Sequence, residues 1–187
     1  MLELFISPGK YVSGYDNIEK LGIEINKLGT KPMLLIDKNI EKIVKKGIES
    51  IKSYGEIEFT YFNGECSFEE TNRVTKLILE KNCDVVVGFG GGKTMDTAKA
   101  AGYDAKVKIV TVPTIAATCA AWASHSAMYT PEGIAHSYYS IYKNADLVFM
   151  DKKITSEAPV RYIISGMVDT LAKWIETKAF TGPIKDK

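Results

Sequence analysis

At 187 residues, with 45% hydrophobic and 25% charged side chains, the chain can bury one good core, or build one domain and the start of another. A net charge of +1, with Lys and Glu interspersed throughout, leaves no basic face for nucleic acid and no polybasic patch for a membrane surface. No apolar run reaches membrane-spanning length, residues 1–9 lack a basic-then-apolar leader, and Cys66, Cys83 and Cys119 are too widely spaced for a disulfide framework or a cysteine-rich zinc site, so the cytoplasm is the expected location.

In chain order, residues 2–7 read as a first strand closed by Pro8-Gly9, and Ile18, Leu21, Ile25 and Leu28 recur at helical spacing before Gly29. Met33-Leu34-Leu35-Ile36 is a short buried-type strand ending at Asp37. A helix with Ile40, Ile43, Val44, Ile48 and Ile51 facing inward follows, and residues 56–62 form another strand. Ser67-Phe68-Glu69-Glu70 fits a capping box, in which Ser67 and Glu70 satisfy each other's backbone N–H groups; it opens a helix carrying Val74, Leu77 and Ile78. Residues 85–89 are a strand, the next helix runs to about Ala101, and residues 107–112 are a strand stopped by Pro113. Strands and helices alternating through short connections predict a parallel sheet covered on both faces, with ligands at the carboxyl ends of its strands. Beyond Pro113 comes a small-residue loop and a hairpin, with Met128 and Tyr129 leading into the turn and residues 138–142 returning. A strand over 146–150 and a linker over 151–159 follow, and from Arg161 the pattern is helical, with Asp169 early in that helix and one turn from Lys173. The expected architecture is therefore α/β, a Rossmann-like parallel sheet over residues 1–155 followed at 156–187 by the beginning of an all-helical domain.

The chemistry concentrates at Val85-Val86-Val87-Gly88-Phe89-Gly90-Gly91-Gly92-Lys93-Thr94. A β-branched strand runs into three glycines and then a helix, which brings bare N–H groups and the positive end of a helix dipole to one point, as a diphosphate requires. Two familiar motifs fail the count. A P-loop ending in Gly92-Lys93-Thr94 needs a glycine where Val87 stands, and Gly88-x-Gly90 meets Lys93, not glycine, at the third spacing. Gly90, Gly91, Gly92, Lys93 and Thr94 are thus read as a diphosphate clamp of another kind. Asp37, at its strand end, is placed for the hydroxyls of an adenosine ribose, where a carboxylate repels a 2′-phosphate and selects NAD over NADP. Asp96 either accepts from a ribose or nicotinamide-side group or caps its helix.

Four segments carry a family likeness: Ile6-Ser7-Pro8-Gly9-Lys10-Tyr11-Val12; Gly90-Gly91-Gly92-Lys93-Thr94-Met95-Asp96-Thr97-Ala98-Lys99; Val112-Pro113-Thr114; and Ser165-Gly166-Met167-Val168-Asp169-Thr170-Leu171-Ala172-Lys173-Trp174. The chain resembles the glycerol dehydrogenase branch of the iron-containing alcohol dehydrogenase superfamily. The resemblance implies an NAD-binding sheet domain, a helical domain holding one divalent metal (usually zinc, alternatively iron), and oxidation of glycerol to dihydroxyacetone in the cleft between them. It puts Thr114, Ala117, Thr118, Ala123, His125 and Tyr129 along the cofactor, with Tyr129 equally readable as a packed hairpin tyrosine. It makes Asp169 one metal ligand; the family's other two are histidines further along the chain. His125 and His136 fall on the cofactor side and are not expected to bind metal, so the chain is expected to be incomplete.

Cys119 departs from the family pattern, in which an aspartate at that place helps to bind the polyol. The sequence Ala117-Thr118-Cys119-Ala120-Ala121-Trp122 is similar to relatives that act on 2-hydroxy and 2-oxo acids, so the substrate is a polyol or, alternatively, a hydroxy acid met at Cys119. A non-catalytic nucleotide-binding fragment is the reading from another class. Homo-oligomerisation leaves no readable trace and stays open.

Overall fold

The computed structural model describes residues 5–181. Six strands, β1 (Tyr11–Gly14), β2 (Pro32–Ile36), β3 (Glu58–Tyr61), β4 (Val85–Gly90), β5 (Lys108–Pro113) and β8 (Leu147–Asp151), form one parallel sheet in the order β1-β8-β5-β4-β2-β3. Between β5 and β8 the chain makes an antiparallel hairpin from β6 (His125–Tyr129) and β7 (Ala135–Ser140). The helices are α1 (Leu21–Asn26), α2 (Lys45–Lys52), α3 (Phe68–Glu80), α4 (Gly92–Asp104), α5 (Lys152–Glu157) and α6 (Val160–Thr181).

Both sheet faces are buried, as continuous apolar strands demand. Leu34, Ile36, Val85, Val87 and Phe89 point to a core that holds Leu21, Ile25 and Ile51 of α1 and α2. Their neighbours Met33, Leu35 and Val86 point the other way, to Val74 and Ile78 of α3 and Ala98 and Ala101 of α4. The pleat separates the two sets residue by residue. After β2 the chain first adds β3 on one side and then returns to add β4 on the other. The strand order therefore reverses between β2 and β4, and open α/β sheets bind ligands beyond the carboxyl ends at such a reversal. Asp37 follows β2 and Gly91-Gly92 follows β4. The Asp37 N–H donates to the Phe89 carbonyl at 3.2 Å, so the two ends are adjacent.

Five expectations need correction. The first strand lies after Pro8-Gly9, not before it: among the described residues 5–7 there is no strand, and 2–4 lie outside them. Ile43 is 54% exposed, because the chain turns through a 3-10 segment (Lys38–Ile40) and α2 starts only at Lys45. The capping box is half made. Ser67 accepts from the Glu70 N–H at 3.2 Å, but the Glu70 carboxylate turns to the Arg73 guanidinium (2.7 and 2.8 Å) and to Asn63. A planar fork one turn away outcompetes a single amide. The linker over 151–159 contains α5, capped by Asp151 accepting from the Lys153 N–H at 2.9 Å. Asp169, read as lying early in its helix, sits near the middle of α6, which starts at Val160.

α6 leans on the loop after β5 through Gly166, where any Cβ would stand 2.1 Å from the Ala116 carbonyl oxygen. Its other sides leave Ile164, Met167, Leu171, Trp174 and Ile175 more than half exposed. No helix among the described residues is long and apolar enough to cross a membrane.

Candidate cofactor and substrate site

The centre of the site is the start of α4. Gly91 is its N-cap and no side chain caps it; the first helical bond runs from the Met95 N–H to the Gly91 carbonyl at 3.1 Å. The N–H groups of Gly92, Lys93 and Thr94 therefore have no partner within the helix. Side chains of the loop after β5 press close on both glycines. A Cβ on Gly91 would stand 2.9 Å from Ile115 Cδ1, and one on Gly92 would stand 3.2 Å from Thr118 Oγ1.

Two cavities meet at this point and share Ile115 and Tyr162 in their walls. The larger, about 590 Å³, lies between Asp37, Gly91 and Thr114 on one side and Glu157, Arg161 and Tyr162 on the other. The smaller, about 370 Å³, is walled by Gly92, Lys93, Asp96, Ala117, Thr118, Cys119, Ala123, His125, Tyr129 and Asp169, with Lys173. The fold thus gathers most of the residues singled out from the sequence into one cleft, roofed by α6.

Two lie outside its walls. Gly90 and Thr94 pack on each other, a Cβ on Gly90 falling 2.7 Å from Thr94 Oγ1, and Thr94 is buried. Together they set the turn that leads into α4. The Lys93 ammonium is paired: Nζ is 2.6 Å from Glu65 and 4.8 Å from the centre of the Tyr129 ring. Asp96 does not cap α4. It lies in the second turn, buried, with Oδ1 2.8 Å from Lys99 Nζ and Oδ2 accepting from the Ala127 N–H at 3.2 Å. Burial pushes its carboxyl upward in pKa, and the Lys99 ammonium pulls it back. Partial burial, and next the nearby Lys99 charge, lower the pKa of His125, whose ring also meets the edge of Tyr138.

Asp169 is held 3.8 Å from Lys173 Nζ, one turn on. Among the described residues no group of three or more His, Cys, Asp or Glu stands together to hold a metal. A catalytic zinc needs three protein ligands and an open position, so these residues do not by themselves fit one. Sequence reasoning missed Lys99, Glu65, Ile115, Arg161 and Tyr162. A lysine in a run of small helical residues carries no sign of burial, because its acceptors come from elsewhere in the chain.

The family model for iron-containing alcohol dehydrogenases matches residues 8–152. The chain belongs to the iron-containing alcohol dehydrogenase family. Within it, the chain is 40% identical to the glycerol dehydrogenase of Thermotoga maritima over 181 residues, which are 96% of this chain and 49% of that one. It is 39% identical to the glycerol dehydrogenase of Citrobacter freundii, over 96% of this chain and 50% of that one. The crystal structure of a probable glycerol dehydrogenase from Sinorhizobium meliloti superposes with a TM-score of 0.86 at 34% identity, over 93% of this chain and 48% of that one. The chain thus spans about half the length of the family members it matches.

Proposed function

We propose that the chain is the cofactor-binding part of an NAD-dependent polyol dehydrogenase of the glycerol dehydrogenase kind. The carrying observation is the uncapped start of α4 standing beside Asp37 at the point where strand order reverses. Free N–H groups suit a diphosphate, and a carboxylate at the end of β2 suits a ribose diol. Gly91 and Gly92 leave the amides of the clamp bare, Gly90 and Thr94 shape its turn, and Lys93 contributes its backbone N–H while Glu65 holds its ammonium. Thr114, Ala117, Thr118, Ala123, His125 and Tyr129 would line the rest of the cofactor, with Asp96 at its nicotinamide side.

When bound, NAD supplies the hydride acceptor: a secondary alcohol becomes a ketone, NAD becomes NADH, and the hydroxyl proton is released. This chain's own residues bind and orient. Asp169 is the one ligand it could give to a metal, zinc by preference and iron as the alternative, and residues outside it would have to complete that site. Cys119 would face the substrate. The three cysteines are free thiols, which supports a reducing compartment such as the cytoplasm.

Titration of this chain with NADH, followed by nicotinamide fluorescence, tests the reading. NADH is expected to bind and ATP not to displace it. Gly92→Ala should weaken NADH binding about tenfold or more by placing a methyl group between amide and phosphate, on the scale of one or two lost charged hydrogen bonds. Absence of NADH binding by the folded chain would overturn the proposal. In the full-length protein, glycerol is expected to be oxidised faster than 2-hydroxybutyrate; the reverse order would move the substrate to the hydroxy acids.

A further inference from the structure

Lys99 stands in the interior of α4 and is only 1% exposed. Its Nζ lies 2.7 Å from the Ala120 carbonyl oxygen, 3.0 Å from that of Ala123 and 2.6 Å from that of His125. Asp96 Oδ1, at 2.8 Å, supplies the countercharge. An ammonium has three protons and no acceptor, and here the three carbonyls take all of them. The first two belong to the segment between β5 and β6, and His125 opens β6. That segment has few backbone bonds of its own: the Trp122 and Ala123 N–H groups donate to the Cys119 carbonyl at 2.9 and 3.2 Å. The same stretch supplies Cys119, Ala123 and His125 to the smaller cavity, on whose wall Asp169 also stands.

We propose that Lys99 is a positioning residue, which fixes the 119–125 wall of the substrate cavity against the helix whose first turn is the diphosphate clamp. The inference rests on the NAD-dehydrogenase reading above. A single rigid helix then carries both functions, the clamp at Gly92 and the tether two turns later, so the spacing between cofactor and substrate wall is set by helix geometry. A purely space-filling role would be served as well by a methionine, which costs no desolvation. The buried charge is instead matched to three carbonyls and one carboxylate. Asp96 extends the tether by accepting from the Ala127 N–H, and its backbone carbonyl accepts from Ser126 Oγ at 2.8 Å.

Amide hydrogen exchange on Lys99→Met, with NADH titration in parallel, tests this. Exchange at Trp122 and Ala123 is expected to rise about tenfold or more, as loss of hydrogen bonds to a charged group implies, while amides of β4 and β5 keep their protection. In the full-length protein, KM for the alcohol should rise more than KM for NAD. Unchanged exchange at Trp122 and Ala123 in a folded Lys99→Met chain would overturn the proposal. If that variant does not fold, Lys99→Gln, which keeps an amide donor, should show a smaller rise confined to 119–125. A rise spread evenly through β4 and β5 would make Lys99 a core filler and overturn the proposal equally. Failure of the unsubstituted chain to bind NADH would remove the dehydrogenase reading and leave the exchange result standing, so the two failures are distinct.

Discussion

Asp37 uses one oxygen, Oδ1, to accept from both the backbone N–H and the side-chain amide of Asn39, at 2.9 and 3.0 Å. No described residue donates to its other oxygen, which leaves a fixed carboxylate with spare acceptor capacity on the cavity wall. Asp37→Ser should reduce the preference for NADH over NADPH by about tenfold or more, because a like charge a few ångströms from a 2′-phosphate costs more than 1.4 kcal/mol at a half-buried site. Competitive titration of the two nucleotides checks it, and an unchanged ratio would take Asp37 off the ribose. His125 gives a second prediction at this scale. Partial burial and the Lys99 ammonium hold its folded pKa below 6.5, its ordinary value, so the unfolded chain takes up its proton first. Stability is therefore expected to fall as pH drops below about 6.5 and to level off once the folded pKa is passed. His125→Gln should flatten that part of a urea-midpoint against pH profile, and an identical profile would count against the assigned cause.

Among the elements, β8 and the turn after β1 are stapled by one side chain. The Asp151 carboxylate accepts from the N–H groups of Asp16 (3.0 Å), Asn17 (2.8 Å), Ile18 (2.8 Å) and Lys153 (2.9 Å), and the residue is buried. Asp151→Ala leaves those donors without their acceptor and should cost about 3 kcal/mol or more in urea unfolding. Lys153→Ala breaks the half-exposed pair with Asp16, leaves the left-handed backbone of Asp16 in place, and should cost under about 1 kcal/mol. Equal losses in the two variants would show that the staple is not the source of the stability. The alternation of strand and helix was readable because β2, β4, β5 and β8 are largely apolar runs and α1, α2 and α3 each carry an apolar stripe. α5 was not, since Lys152–Glu157 has no buried side chain and takes its helical start from Asp151, a residue that belongs to the sheet. The reciprocal capping box failed for a similar reason. Its local pattern was present, and Arg73 competed for the same carboxylate.

For the molecule as a whole, burial sorts the three thiols. Cys66 is enclosed and burial raises its pKa to about 12; Cys83 is buried and raised to about 11; Cys119 is exposed beside the cavity. A disulfide-exchange reagent at pH 8 should therefore modify one thiol per folded chain rapidly and all three only after unfolding, and NADH should slow the rapid reaction if the nicotinamide lies over Cys119. Rapid reaction of two thiols would contradict the packing. The apolar side of α6 leaves Leu171, Trp174 and Ile175 each more than 60% exposed.

The layered sheet, the glycine-rich turn after β4 and the carboxylate after β2 were all legible in order along the chain, because each depends on neighbours within a few residues: alternation, strand-end position, absence of Cβ. The pairing of Lys93 with Glu65, the burial of Lys99 among three carbonyls and the arrival of Asp169 on the wall that holds Cys119 were not. Each of these joins segments 20 to 50 residues apart. A charged side chain can be buried only where distant backbone supplies its acceptors, and that supply exists only once the sheet has brought those segments together.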